Sequence, residues 1–246
     1  MKFTVLGGTG LIGTQVVERL TAAGHEVIPA SLSTGVDVIS SKGLEEVLEG
    51  ADVVINLTNS PVFDESSIGF FDTSMNNIGA AAEAAGVRHH VILSIVGVDQ
   101  VPQLDYYRAK VGQENVLKNG PTPYSIVRAT QFFEFVGATM SWTTDGDTVR
   151  LPTTPLQPMA SADVAAAVAR ASSDTPLQGI RNTAGPEVFP LDELGRITLA
   201  ARPDGRRVVT DDQAGMFSAV VGDVLIAPKG ADLAPTHYRD WLQQQP

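Results

Sequence analysis

The sequence predicts an α/β chain: a doubly wound parallel sheet with helices on both faces, followed by a small C-terminal region that caps the substrate side. Two observations carry this prediction. Short apolar runs at residues 3–6, 26–30, 51–57, 88–94 and 124–128 alternate with longer stretches of helical spacing, and strands that alternate with helices read as βαβ units around a parallel sheet. A glycine-rich break at residues 5–13 (VLGGTGLIG) then joins the first run directly to a helical pattern of Leu11, Ile12, Val16, Val17 and Leu20.

That break is the most informative stretch. Gly7, Gly10 and Gly13 recur every third residue, and Gly8, Gly10 and Gly13 also satisfy G-x-G-x-x-G. Such glycines permit a tight turn, a close approach of main-chain N–H groups to a pyrophosphate, and close packing of helix on strand. The helix that opens at Leu11, Ile12 and Gly13 points its partial positive charge at the phosphates. The expected unit is Rossmann-like, with Gly7, Gly10, Leu11, Ile12 and Gly13 on the cofactor.

At 246 residues, 43% hydrophobic and 18% charged, the chain is long enough for one α/β domain with a substantial core. A net charge of -11 argues against nucleic acid, which needs clustered Lys and Arg. With no cysteine there is no disulfide, thiol nucleophile or cysteine-held metal, and no metal site is expected. The first strand begins at about residue 2, leaving no room for a signal peptide, and no apolar run approaches a membrane span. The expectation is a cytoplasmic protein with a small-molecule substrate and neither nucleic acid nor membrane as partner.

In chain order, Gly24 ends the first helix, and the strand 26–30 should finish near the adenosine ribose. An NAD site usually places an acid there, roughly 20 residues past the glycines. Ser31, Ser33 and Thr34 stand there instead, and Asp37 comes late, beyond Gly35. With no acid to repel a 2′-phosphate and hydroxyls to bond one, the reading leans to NADP over NAD. A short helix at 43–49 leads to the buried strand 51–57, with Asn56, Thr58 and Asn59 at its C-terminal end. Ligands bind at that end of open sheets; loop capping is the alternative. Residues 61–71 read as a loop carrying Phe63, Phe70 and Phe71 over the cofactor, and 80–85 as part of an alanine-rich helix stopped by Gly86. His89 and His90 precede the apolar part of the next strand and read as solvated or capping. Ser94 ends it on the cofactor side.

Residues 105–119 (DYYRAKVGQENVLKN) form a predicted helix in which Tyr106 and Lys110, at i and i+4, share a face, while Tyr107 is turned about 100° away. A free phenol has a pKa of about 10, and a neighbouring ammonium lowers it. With the GGTGxxG opening, this Y-x-x-x-K resembles the atypical, extended-like short-chain dehydrogenase/reductases, particularly their NmrA-like NAD(P)-binding members. The resemblance runs nearly the full length. It implies that Tyr106 is the general acid/base at a substrate carbonyl, that Lys110 also bonds the nicotinamide ribose, and that Ser94 polarises the oxygen. It further implies that the strand 124–128 leads to a loop beside the nicotinamide lined by Ala129, Thr130 and Gln131. Phe132, Phe133 and Phe135 wall a pocket or belong to the core.

In the last hundred residues, Asp145-Gly146-Asp147 reads as a hairpin turn into 148–151 and not as a calcium loop. Residues 157–165 resemble the family's segment that brings a helix under the active site, with Asp163 as its N-terminal charge. An amphipathic helix falls within 185–201, Arg206 and Arg207 read as solvated, and 236–241 as a short closing helix. The whole chain reads as a single domain, 1–246, with about 130–246 forming the cap. The helix 105–119 offers a surface for a homodimer, although monomers also fit the plan. The expected function is an NAD(P)-dependent oxidoreductase passing hydride between nicotinamide and a small carbonyl, quinone or related substrate. The alternative is a non-catalytic NAD(P)-sensing regulatory protein, as the NmrA-like resemblance allows.

Overall fold

The computed structural model describes residues 1–245. The elements run β1 (Lys2–Leu6), α1 (Leu11–Ala22), β2 (Glu26–Ala30), α2 (Leu44–Leu48), β3 (Val53–Asn56), α3 (Ser66–Ala84), β4 (His89–Ile95), α4 (Asp105–Asn119) and β5 (Tyr124–Ala129). They continue with α5 (Phe135–Trp142), β6 (Thr144–Asp145), β7 (Thr148–Leu151), β8 (Pro155–Leu156), α6 (Ser161–Ser173), β9 (Gly179–Ala184), β10 (Phe189–Pro190), α7 (Leu191–Ala201), β11 (Arg207–Thr210), β12 (Asp232–Leu233) and α8 (Tyr238–Gln244). The central sheet is parallel and seven-stranded, in the order β12-β9-β5-β4-β3-β1-β2. This is the doubly wound Rossmann-like plan. Strand β1 pairs with β2 on one side and β3 on the other, so the chain reverses its direction of winding there.

The chain divides into two compact units, one of residues 1–128 and 164–181, the other of 129–163 and 182 onward. The segment 164–181, carrying most of α6 and the start of β9, belongs with the N-terminal residues, so the C-terminal region is not one continuous stretch. In the first unit β1 and β3 are buried almost throughout. One face of that sheet packs Leu6, Ala30 and Val54 on Leu44, Leu48 and Ile78. At about 25 cal/mol per Å² of apolar surface, such burial is the main force holding helix to sheet. Helix α1 ends where Gly24 adopts φ +82 and its N–H bonds the Thr21 carbonyl, the left-handed stop that glycine makes cheaply.

Three expectations are corrected. Helix α3 begins at Ser66, so Phe70 and Phe71 ride on a helix and only Phe63 stays in the loop; the Phe71 ring is fully buried. An aromatic run that begins with polar residues can continue as helix once its apolar side finds a core. His89 and His90 are neither solvated nor capping: both lie inside β4, 3% and 1% exposed. Burial pulls their pKa values to about 4 and about 3, so they stay neutral in the folded protein. The closing helix begins at Tyr238, two residues later than expected.

In the second unit, β6 and β7 form the hairpin around Gly146 at φ +59, and β11 adds in parallel to β7. Its aromatic core sets the ring of Phe133 4.9 Å from Tyr238 and 5.4 Å from Trp241. Phe133 is therefore core, while Phe132 leans on a half-exposed Phe135. A cavity of about 200 Å³ in this unit is lined by Trp142, Leu151, Leu191, Met216 and Phe217 among others, and by none of those three phenylalanines.

Candidate active site

The glycine turn is built from missing side chains. Gly7 sits at φ +78, and a Cβ there would come within 2.7 Å of the Leu57 carbonyl oxygen. A Cβ on Gly8 would meet Val5 O at 2.7 Å, and one on Gly13 would meet Gly7 O at 2.1 Å. These three let β1, β3 and α1 close on one another. Gly10 differs: its Cβ would touch only Gly7 O, at 3.3 Å. Gly10 is also the N-cap of α1; no side chain caps the helix, and no acid lies in its first turn. The main chain at Leu11, Ile12 and Gly13 thus offers an uncluttered positive end of a helix, which fits a dinucleotide pyrophosphate. Leu11 is half exposed and Ile12 buried.

At the end of β2 the structure brings Ser31 and Ser33 together, Oγ to Oγ at 2.8 Å, and adds Thr9, whose hydroxyl donates to Ser31 Oγ at 3.0 Å. The sequence reading missed Thr9; its place inside the glycine turn was the available signal. Thr34 folds back, its Oγ1 accepting the Ser31 N–H. Asp37 spends its carboxylate on its own loop, accepting from Ile39 N and the Ser40 hydroxyl, which hold it below the usual carboxylate range.

Asn56 is buried and acts as a loop cap: Oδ1 accepts Thr58 N at 3.0 Å and Thr58 Oγ1 at 2.6 Å. Ala129 and Thr130 lie in the second unit, both buried. Thr130 Oγ1 donates to Gln157 O and its N–H to Thr183 O. The next side chain, Gln131, has both amide atoms buried without a hydrogen-bond partner.

Helix α4 carries Tyr106 and Lys110. The Tyr106 hydroxyl donates to Asn59 Oδ1 at 2.6 Å, and its ring meets Phe63 edge-on at 5.0 Å and Phe71 at 5.9 Å. Burial pushes the phenol up to about 12, against the pull of the Asn59 bond. This differs from the expected lowering by Lys110: desolvation of the phenolate outweighs any neighbouring charge. Lys110 is 5% exposed, and its Nζ donates to Leu93 O at 2.7 Å and to Gln113 Oε1. That ammonium also lies 4.8 Å from the centre of the Phe71 ring. Burial pulls it down to about 7, with Glu114 pulling upward. The structure thus brings Tyr106 and Lys110 together on one helix and against one ring.

The Ser94 hydroxyl donates to Glu114 Oε1 at 2.7 Å inside a buried network. Arg128 grips the same carboxylate through Nε and a terminal nitrogen, each at 2.8 Å, and Lys118 adds a bond at 2.9 Å. Arg128 also reaches Asp99 at 3.1 Å. Burial opposes the charge on Glu114, but the bonds from Arg128, Ser94 and Lys118 prevail and hold it ionised. The sequence reading did not single out this pair. An arginine directly after the apolar Ile126 and Val127 in a strand, with a glutamate four residues before a lysine on the preceding helix, was the readable sign. Among the described residues, no group of His, Cys, Asp and Glu could hold a metal, and no helix is long and apolar enough to cross a membrane.

Comparison with known proteins agrees with the glycine turn. A family described as NAD(P)H-binding matches residues 7–175. A (4-alkanoyl-5-oxo-2,5-dihydrofuran-3-yl)methyl phosphate reductase of Streptomyces griseus is 32% identical over 151 residues, 56% of this chain and 49% of the relative. The divinyl chlorophyllide a 8-vinyl-reductase of Arabidopsis thaliana is 28% identical over 178 residues, 58% of this chain and 42% of its own. The photosystem II assembly factor Ycf39 of Synechocystis is 25% identical over 149 residues, covering 54% and 46%. The chain spans about half the length of the curated relatives it matches. Among solved structures, the Thermus thermophilus UDP-glucose 4-epimerase in complex with NAD has a TM-score of 0.72 at 20% identity, covering 87% of this chain and 88% of its own. A dTDP-4-dehydrorhamnose reductase ortholog of Clostridium acetobutylicum has the same score at 19%, covering 86% and 84%. At these identities the likeness shows the shared fold.

Proposed function

Because the chain belongs to the NAD(P)H-binding family, we propose that it is an oxidoreductase of the atypical short-chain dehydrogenase type, acting on a small carbonyl, quinone or related compound. The nicotinamide, when bound, supplies or receives the hydride. Main-chain N–H groups at Leu11, Ile12 and Gly13 bind the pyrophosphate. Ser31 and Ser33, with Thr9, offer hydroxyls to the adenosine ribose; the absence of an acid among them favours NADP over NAD. Asn56 and Thr58 shape the loop after β3, and Ala129 and Thr130 the chain after β5. Tyr106 gives its proton to the substrate oxygen, and Lys110 holds the ribose and supplies positive charge beside the phenol. For Ser94 to polarise that oxygen, as the resemblance implies, its hydroxyl must leave Glu114.

The observation that carries the reading is Lys110. A buried ammonium whose hydrogen bonds go to neutral oxygens costs the fold stability, and groups displaced in this way concentrate where chemistry is done. The test is a fluorescence titration of NADPH and NADH into wild type and Gly10→Asp, followed by turnover of carbonyls and quinones in wild type and Tyr106→Phe. Binding that is lost in Gly10→Asp, with turnover lost in Tyr106→Phe, supports the proposal. Binding without turnover favours a second reading, an NAD(P)-sensing protein. That reading draws on the phenol near 12, on the commitment of Ser94 to Glu114, and on a relative named as an assembly factor.

A further inference from the structure

Asn59 stands just past β3, exposed and outside any helix or strand, yet its side-chain carbonyl accepts the hydrogen bond of the Tyr106 hydroxyl at 2.6 Å. A phenol has one proton to give, so the hydroxyl cannot serve Asn59 and another acceptor at once. The acceptor is an amide carbonyl, neutral and planar, chemically close to an uncharged carbonyl compound. The surroundings are aromatic: Phe71 backs the phenol ring, and Phe63, 45% exposed, stands at its edge.

We propose that Asn59 is an internal placeholder whose side-chain carbonyl occupies the place of the substrate's oxygen on Tyr106, and that the site takes an uncharged planar carbonyl compound carrying a ring, whose oxygen displaces it. This rests on the oxidoreductase reading of Tyr106. The Asn59 contact marks the line along which the reacting oxygen will meet the phenol proton, and Phe63 offers an apolar face to the ring attached to it.

The probe is benzamide, a planar aryl carbonyl that the site cannot reduce, titrated by ligand-observed nuclear magnetic resonance in the presence of NADP. Asn59→Ala removes the competitor and should tighten benzamide about fivefold. Asn59→Asp substitutes a charged and stronger acceptor and should weaken it about fivefold or more, with Tyr106→Phe abolishing binding. Opposite signs at one position separate this role from a merely structural one, which would weaken both variants. With a turnover assay, kcat/KM for an aryl ketone or quinone should rise in Asn59→Ala and fall in Asn59→Asp. Equal or weaker benzamide binding in Asn59→Ala, or no binding in any variant, overturns the inference. Benzamide binding in the expected order without reduction of any carbonyl would remove the oxidoreductase reading and leave the carbonyl site standing.

Discussion

The glycine turn and helix α4 belong to the same unit and are built in opposite ways. The turn works through atoms that are absent: three glycines let backbone meet backbone, and a fourth leaves the helix end open. Helix α4 works through atoms that are paired, since Tyr106, Lys110 and Glu114 each hold partners on other elements. A site built from backbone is readable in a sequence motif, because only glycine satisfies it. A site built from pairs is readable only in part, because the second member of each pair lies far away in the chain.

The sharpest break in this comparison is Tyr106→Phe, which removes one oxygen and leaves the turn intact. Turnover should fall about 10²- to 10⁴-fold, while the NADPH dissociation constant measured by fluorescence stays within about twofold. Gly10→Asp does the reverse, placing a carboxylate where phosphates belong. Affinity for NADPH should drop about 100-fold, with a smaller loss in the urea midpoint, since a Cβ there crowds Gly7 O at 3.3 Å, far less than one at Gly7, Gly8 or Gly13 would crowd its neighbours. Next comes Glu114→Gln, which removes the buried carboxylate that grips Arg128 and leaves its guanidinium only the more exposed Asp99. Urea denaturation should report a loss of about 3 kcal/mol, against about 1 kcal/mol for Ser94→Ala, which removes a single donor.

A further prediction concerns acid stability. His89 and His90 are held neutral with pKa values of about 4 and about 3, below the unfolded value of 6.5. The unfolded chain therefore binds more protons as pH falls below 6.5, and stability should decline from there toward pH 4 and below. His90→Leu, which also removes a buried ring nitrogen without a partner, should flatten this decline and raise the melting temperature by a few degrees at pH 5. An unchanged acid limb would mean that other groups control it.

How much was legible follows the same division. The strand 26–30 and the helix 105–119 have their expected bounds because alternation and turn residues mark both ends locally. Tyr106 and Lys110 were nameable because i, i+4 spacing is local too. Their environment was not: the aromatic contacts through Phe71 and the bond to Asn59 depend on α3 packing against α4, which no local pattern encodes. The histidines misled for the same reason. Polar residues at a strand's start look solvated until Ser125, on the neighbouring strand β5 but far along the chain, supplies a buried partner for His89 at 2.8 Å.

The far end of α4 has a mechanical meaning. Glu114 takes bonds from Ser94 on one strand, Arg128 on another and Lys118 on its own helix. A rod anchored from two sides cannot rotate about its axis without breaking those bonds. Tyr106 lies eight residues upstream, roughly 12 Å along the rod at about 1.5 Å per residue, and inherits its azimuth from that anchorage. The phenol's bearing is thus set at a distance, by charges outside its own hydrogen bonds. Any adjustment on meeting a ligand falls to the lighter partner, the loop that carries Asn59 and Phe63.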